Sequence, residues 1–115
     1  MEASRVRELA VARYVSARRA FLSDADLADA LQVHRSRVTR WKKGEMPDEA
    51  HRLQLLGLDT AVSMLSEFME PTVVGDWLFG VNAHLGHRRP IDVLRTGELS
   101  TVVAAIEAER SGAFA

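Results

Sequence analysis

Apolar residues in this chain recur three and four positions apart, and nowhere do they alternate with polar ones at the period of two that a half-buried strand requires. That periodicity restricts the fold to an all-α class, in which each helix lays its apolar stripe against another. Val6, Leu9, Ala10, Tyr14 and Ala17 mark a first helix over roughly residues 3–19. Ser23, with Asp26 three residues on, gives a capping-box-like start to a second helix, whose Leu27, Ala28 and Leu31 face inward. A third runs from His34 to about Lys43 and stops at Gly44. Pro47, Asp48 and Glu49 open a long fourth helix with Leu53, Leu56, Ala61, Met64, Leu65, Phe68 and Met69 as its stripe, ending before Pro71. Beyond Pro71 the texture changes. TVVGDWLFG, with Thr72 as cap, suits a two-turn helix; VNAHLGHRR is a connector; PIDVLRT starts at Pro90 and is closed by Gly97. Glu98 to Arg110 forms the last helix, with Leu99, Val102, Val103 and Ile106 inward, and Gly112 releases the tail. The chain thus divides into residues 1–70 and 71–115, two lobes packed together.

A length of 115 residues with 47% apolar content is that of one compact unit that buries its own core. The absence of cysteine excludes disulfides and thiolate metal sites. The start MEASRVRELA lacks the apolar run of a signal peptide, and no stretch approaches the ~18 apolar residues of a membrane span, so a soluble cytoplasmic protein is expected, with no membrane partner. Net charge is -1, which argues against non-specific nucleic-acid binding, yet the charges are unevenly placed. Residues 32–43 hold five basic side chains (Arg35, Arg37, Arg40, Lys42, Lys43) and no acid, whereas residues 44–70 hold one basic and six acidic. A local cationic patch on an acidic body suits docking to an anionic polymer in one orientation.

The patch lies in HRSRVTRWKKG, the second half of a pair of helices at helix-turn-helix spacing. Leu27, Leu31, Val33, Val38 and Trp41 pack at the crossing, and small Ala28 allows close approach. His34 then falls at the N-cap, while Arg35, Ser36, Arg37, Thr39 and Arg40 line the exposed start and flank, from which base edges in a major groove are reachable. Lys42 and Lys43, one turn on, are placed for phosphates. The turn position often held by glycine is Gln32, at a cost of roughly 1 kcal/mol for a left-handed backbone.

Catalytic and cofactor chemistry is not expected. His84 and His87 lie three apart, but beside Gly86, Arg88 and Arg89, with Asp92 the nearest acid. The glycines are scattered as helix ends rather than gathered in a phosphate loop, and no serine sits in a nucleophile-elbow context. Asp24, Asp26 and Asp29 favour a helix dipole and need no catalytic role. Trp77 and Phe79 suit a core. Phe114, flanked by alanines after Gly112, either folds back onto the body or waits for a pocket on a partner.

The residues after about position 20 resemble one family, the Xre/MbcA/ParS-type antitoxins that pair with RES-domain toxins. The N-terminal lobe looks like an Xre-like helix-turn-helix. The C-terminal lobe resembles the family's toxin-binding domain through Trp77-Leu78, Asn82, Leu85-Gly86, Pro90, Asp92, Leu94, Thr96-Gly97, and Gly112 before Ala113-Phe114-Ala115. One departure is Val81, where the family usually has proline. The resemblance implies an antitoxin, not an enzyme, that needs no cofactor and neutralises an NAD-degrading RES-domain toxin encoded by the adjacent gene. It implies that Trp77, Asn82, Leu85, Arg88, Arg89, Gly112, Ala113, Phe114 and Ala115 meet the toxin, with the tail entering the active-site mouth and its carboxylate facing groups that bind NAD phosphates. It also implies a homodimer that binds operator DNA and represses its own operon. The competing expectations are a plain helix-turn-helix repressor whose C-terminal lobe only dimerises, and a helical adaptor with a vestigial helix-turn-helix.

Overall fold

The structure, a computed structural model, describes Arg18, Phe21 and residues 23–113. The helix expected over residues 3–19 lies outside these apart from Arg18. The elements are α1 (Asp24–Leu31), α2 (Arg35–Lys42), α3 (Glu49–Leu65), α4 (Pro71–Phe79), a 3-10 turn (Ala83–Leu85), α5 (Pro90–Arg95) and α6 (Leu99–Ala113). The described residues are therefore all-α, and no strand forms among them beyond an isolated bridge between Asn82 and Arg88. No helix among them is long and apolar enough to cross a membrane.

Local capping places the helix starts. Ser23 Oγ accepts the Asp26 backbone N–H at 3.1 Å, His34 Nδ1 accepts that of Ser36 at 3.1 Å, and Asp48 Oδ1 accepts that of His51 at 2.9 Å. At α4 the expected cap Thr72 is instead inside the helix. Pro71 takes the first position after Glu70, because its fixed φ is already helical and it has no N–H to satisfy. Gln32 adopts φ 57° and ψ 45°, and its N–H donates to the Ala28 and Asp29 carbonyls that end α1. Of the side chains expected at the crossing, Leu27, Ala28, Leu31, Val38 and Trp41 are buried in the core, and Val33 is partly buried against it.

Four further expectations are corrected. The stripe of α3 is Leu55, Leu58, Ala61, Val62 and Leu65, while Leu53 is 61% and Leu56 36% exposed. LQLLGL is apolar nearly all round, so spacing alone does not fix which face turns inward. The helix also stops at Leu65, and Phe68 and Met69 reach the core from the turns that follow. Phe79, at the end of α4, is exposed rather than core, and its ring meets Phe21 edge-on at 5.7 Å. At the other end, α6 runs through Gly112 to Ala113 rather than stopping near Arg110. A single glycine in a last turn costs only about 1 kcal/mol, and nothing in the sequence there opposes the helix.

The core gathers around α3, which packs on α5 and α6; α5 in turn packs on α4 and α6, and the 3-10 turn rests on α6. Replacing Gln32 with glycine removes the Cβ penalty of the left-handed turn. Gln32→Gly is expected to raise stability in urea denaturation by up to about 1 kcal/mol, and the β-branched Gln32→Val to lower it by at least as much.

Candidate functional site

Two surfaces hold the candidate residues. On the first, α2 turns Val38 and Trp41 into the core and leaves His34, Arg35, Ser36, Thr39, Arg40, Lys42 and Lys43 exposed, with Arg37 half-buried. His34 Nδ1 also lies 2.8 Å from the Ser36 hydroxyl, so both residues finish the helix start. Thr39 Oγ1 donates to the Arg35 carbonyl at 3.2 Å. The cations differ sharply in what surrounds them. Arg37 Nη1 lies 3.3 Å from Asp48 Oδ2 and 3.3 Å from His51 Nδ1. Arg40 Nε donates to Glu45 Oε2 at 3.0 Å, and Lys42 Nζ is 3.7 Å from Asp24 Oδ2. Arg35 and Lys43 have no ion pair among the described residues.

These acids escape a count of charge along residues 32–43. Glu45 and Asp48 belong to the acidic stretch that follows α2, and the turn at Gly44 (φ 101°) folds that stretch back beside the helix. Asp48 is doubly engaged: beyond capping α3 it holds His51 Nδ1 at 2.7 Å. The backbone N–H of His51, followed by its ring and the Arg37 charge, holds the Asp48 carboxyl below the usual carboxylate range.

The second surface is built on the segment from α4 to α6. Trp77 is half-buried against the core, and its indole N–H is enclosed without a hydrogen-bond partner among the described residues. Asn82 organises the connector: its Oδ1 accepts the His84 N–H at 2.9 Å, and its own N–H donates to the Arg88 carbonyl at 3.1 Å. The chain reverses there through consecutive left-handed residues, Gly86 (φ 65°) and His87 (φ 62°). Leu85 is only 1% exposed, so it anchors this loop to the core and offers no surface to a partner in this conformation. Arg88 donates to the Leu85 carbonyl at 2.9 Å and to Glu98 at 3.0 Å. Gly112 is exposed in the last turn of α6, which Ala113 ends; Phe114 and Ala115 lie outside the described residues. Among the described residues no three His, Asp or Glu side chains gather as a metal site.

Asp92 ties this surface to the rest of the fold. Arg89 grips it with two bonds, at 2.8 and 3.0 Å, and Arg95 donates to it as well. Arg95 also donates to the Ala30 carbonyl at 2.7 Å, at the end of α1. The Arg89 hydrogen bond, with the charges of both arginines, holds the Asp92 carboxyl low and raises the Arg89 guanidinium pKa in return. An acid with a depressed folded pKa stabilises above its ordinary pKa, and that contribution fades as pH falls through the folded value. Wild type should therefore melt above Asp92→Asn near neutrality, with the gap closing below about pH 4 in thermal denaturation. Leu85→Ala should cost about 2–5 kcal/mol in urea denaturation, as a core truncation does.

No protein-family model matches the chain. It is similar to the mycobacterial cidal antitoxin MbcA of Mycobacterium tuberculosis, 30% identical over 94 residues that span 81% of this chain and 83% of that protein. The same identity and coverage relate it to MbcA of Mycobacterium bovis. A probable mycobacterial cidal antitoxin of Mycobacterium tuberculosis is 31% identical over 93 residues, 81% of this chain and 80% of that one. Among solved structures, it is similar to a chain of the crystal structure of the Mycobacterium tuberculosis MbcT-MbcA toxin-antitoxin complex. The TM-score is 0.77 and the identity 28%, over 93% of this chain and 97% of that chain. With this helical framework, and relatives at that identity across most of its length, the chain belongs to the MbcA-type antitoxin family.

Proposed function

We propose that this antitoxin acts by binding, without catalysing a reaction, and neutralises a RES-type, NAD-degrading toxin by covering its active site with the segment that follows α6. The observation that carries this reading is how the end of α6 is held. Arg110 stacks over the Phe68 ring at 5.4 Å and donates to Glu67 at 2.6 Å, while Ser111 and Gly112 stand exposed just beyond. The end of α6 is therefore fixed on the body, and a segment anchored at a fixed point loses less entropy when it enters a pocket. Burying the Phe114 side chain there contributes roughly 1.5–3 kcal/mol, enough for an anchor. Asn82, Arg88 and Arg89 lie on the same C-terminal half and extend the contact, and Trp77 and Leu85 support it from within. The similar MbcA chain was crystallised together with a toxin, which supports a toxin as the partner of this one.

The same reading assigns the α1–α2 pair a second task, binding operator DNA as a helix-turn-helix and repressing the operon. Two chains would then place their α2 helices about one DNA turn apart, and the exposed Leu53 and Leu56 on α3 are an apolar pair available to such a dimer. Deleting residues 113–115 tests the neutralising half. When the truncated chain is coexpressed with the toxin, cellular NAD should fall as it does with toxin alone. Continued full protection would remove the tail from the mechanism.

A further inference from the structure

We infer that Asp24, Glu45 and Asp48 form an acidic collar around α2 that decides which of its cations meet a DNA backbone, leaving Arg35 and Lys43 to make the first contacts. The inference rests on the proposed DNA-binding role of the α1–α2 pair and sharpens it.

The collar follows from geometry. Each acid stands within ion-pair distance of one cation of α2: Asp48 at 3.3 Å from Arg37, Glu45 at 3.0 Å from Arg40, and Asp24 at 3.7 Å from Lys42. A phosphate that pairs with any of these cations must compete with its carboxylate, against like-charge repulsion. The three ties differ in strength. Asp48 cannot swing away without uncapping α3 and releasing His51, so Arg37 stays held. Among the described residues Glu45 makes its side-chain bond to Arg40 alone, and both side chains are 54% exposed, so this tie exchanges readily with solvent. Asp24 is shared, since its other oxygen accepts from Arg18 Nε at 2.9 Å, and Lys42 is held at the longest of the three distances.

Arg35 is in the opposite situation. It occupies the first position of α2, where the helix dipole disfavours a cation, and no acid lies in that first turn to offset it. A phosphate near this turn is attracted by both the guanidinium and the helix end, and removes a repulsion already present in the free protein. Lys43, just past the last turn, is likewise exposed and lacks an acid partner among the described residues. Counting charge on α2 therefore overstates its grip. Each phosphate neutralised adds about -0.9 to the slope of log affinity against log salt, so two contacts give about -1.8 per chain and five about -4.5.

The test is fluorescence anisotropy of the full chain with a labelled random-sequence duplex over a salt series, comparing wild type, Glu45→Gln, and Glu45→Gln with Asp24→Asn. Circular dichroism checks that each variant keeps its helical content. Wild type should show a slope near about -2 per chain. Glu45→Gln should bind about two- to fivefold tighter, the range expected for releasing one exposed ion pair, with a slope steeper by about one. The double variant should gain again, and Arg35→Ala should lose about half of the wild-type slope. Variants that bind no differently from wild type overturn the collar, including the case in which none binds. If wild type does not bind and the variants do, the collar stands and operon repression by the native chain falls.

Discussion

Burial of the apolar helix faces against one another is the constraint on which every described element depends. Isolated helices shorter than about 12–15 residues are marginal in water, and α1, α2, α4 and α5 have 8, 8, 9 and 6 residues. Each persists because its apolar side finds a partner: α1 and α2 pack on each other, α4 packs on α5, and α5 and α6 pack on α3, whose Leu55, Leu58, Val62 and Leu65 are all at most 2% exposed. The N-terminal half joins α3 at its start, where the Trp41 and His51 rings meet at a tilt of 44° with centroids 5.7 Å apart and Asp48 caps α3 while holding Arg37. The C-terminal half joins it farther along, through α5 and α6.

Helix existence was legible in the sequence because the local signals agree. Ser23 and Asp48 cap where oxygen-bearing side chains precede apolar periodicity, Gly44 and Gly97 end helices at positive φ, and Leu27 with Val38 and Trp41 repeats at the spacing of two crossing helices. What was not legible depends on neighbours. Leu53 and Leu55 are equally apolar, and it is the packing of neighbouring elements on α3 that buries Leu55 and leaves Leu53 exposed. Leu85 was expected to meet a partner, yet the turn through Gly86 and His87 leaves it buried in the core. Gly112 has the composition of a helix end and sits inside a helix, since a local break signal is weak where the flanking residues favour helix.

The candidate sites show the same division. The cationic face of α2 was visible as composition, but its acids were not, because they come from outside residues 32–43. Ion pairs between elements are set by tertiary geometry rather than by proximity in sequence. The hydrogen bond from Arg95 to the Ala30 carbonyl, across 65 residues, is set in the same way. Together with Asp92 and Arg89 it links the proposed partner-binding surface to the end of α1, so the two halves of the molecule share a polar tie as well as a core.

The proposal that the C-terminal segment covers an NAD-degrading active site is tested most directly by competition. Titration calorimetry would measure binding of this chain to the RES-type toxin with its site empty and with that site saturated by a non-cleavable NAD analogue. If the segment occupies the site, the analogue should weaken association by about tenfold or more, equivalent to at least ~1.4 kcal/mol. Equal affinity in both titrations would mean that the antitoxin binds elsewhere and leaves the active site open.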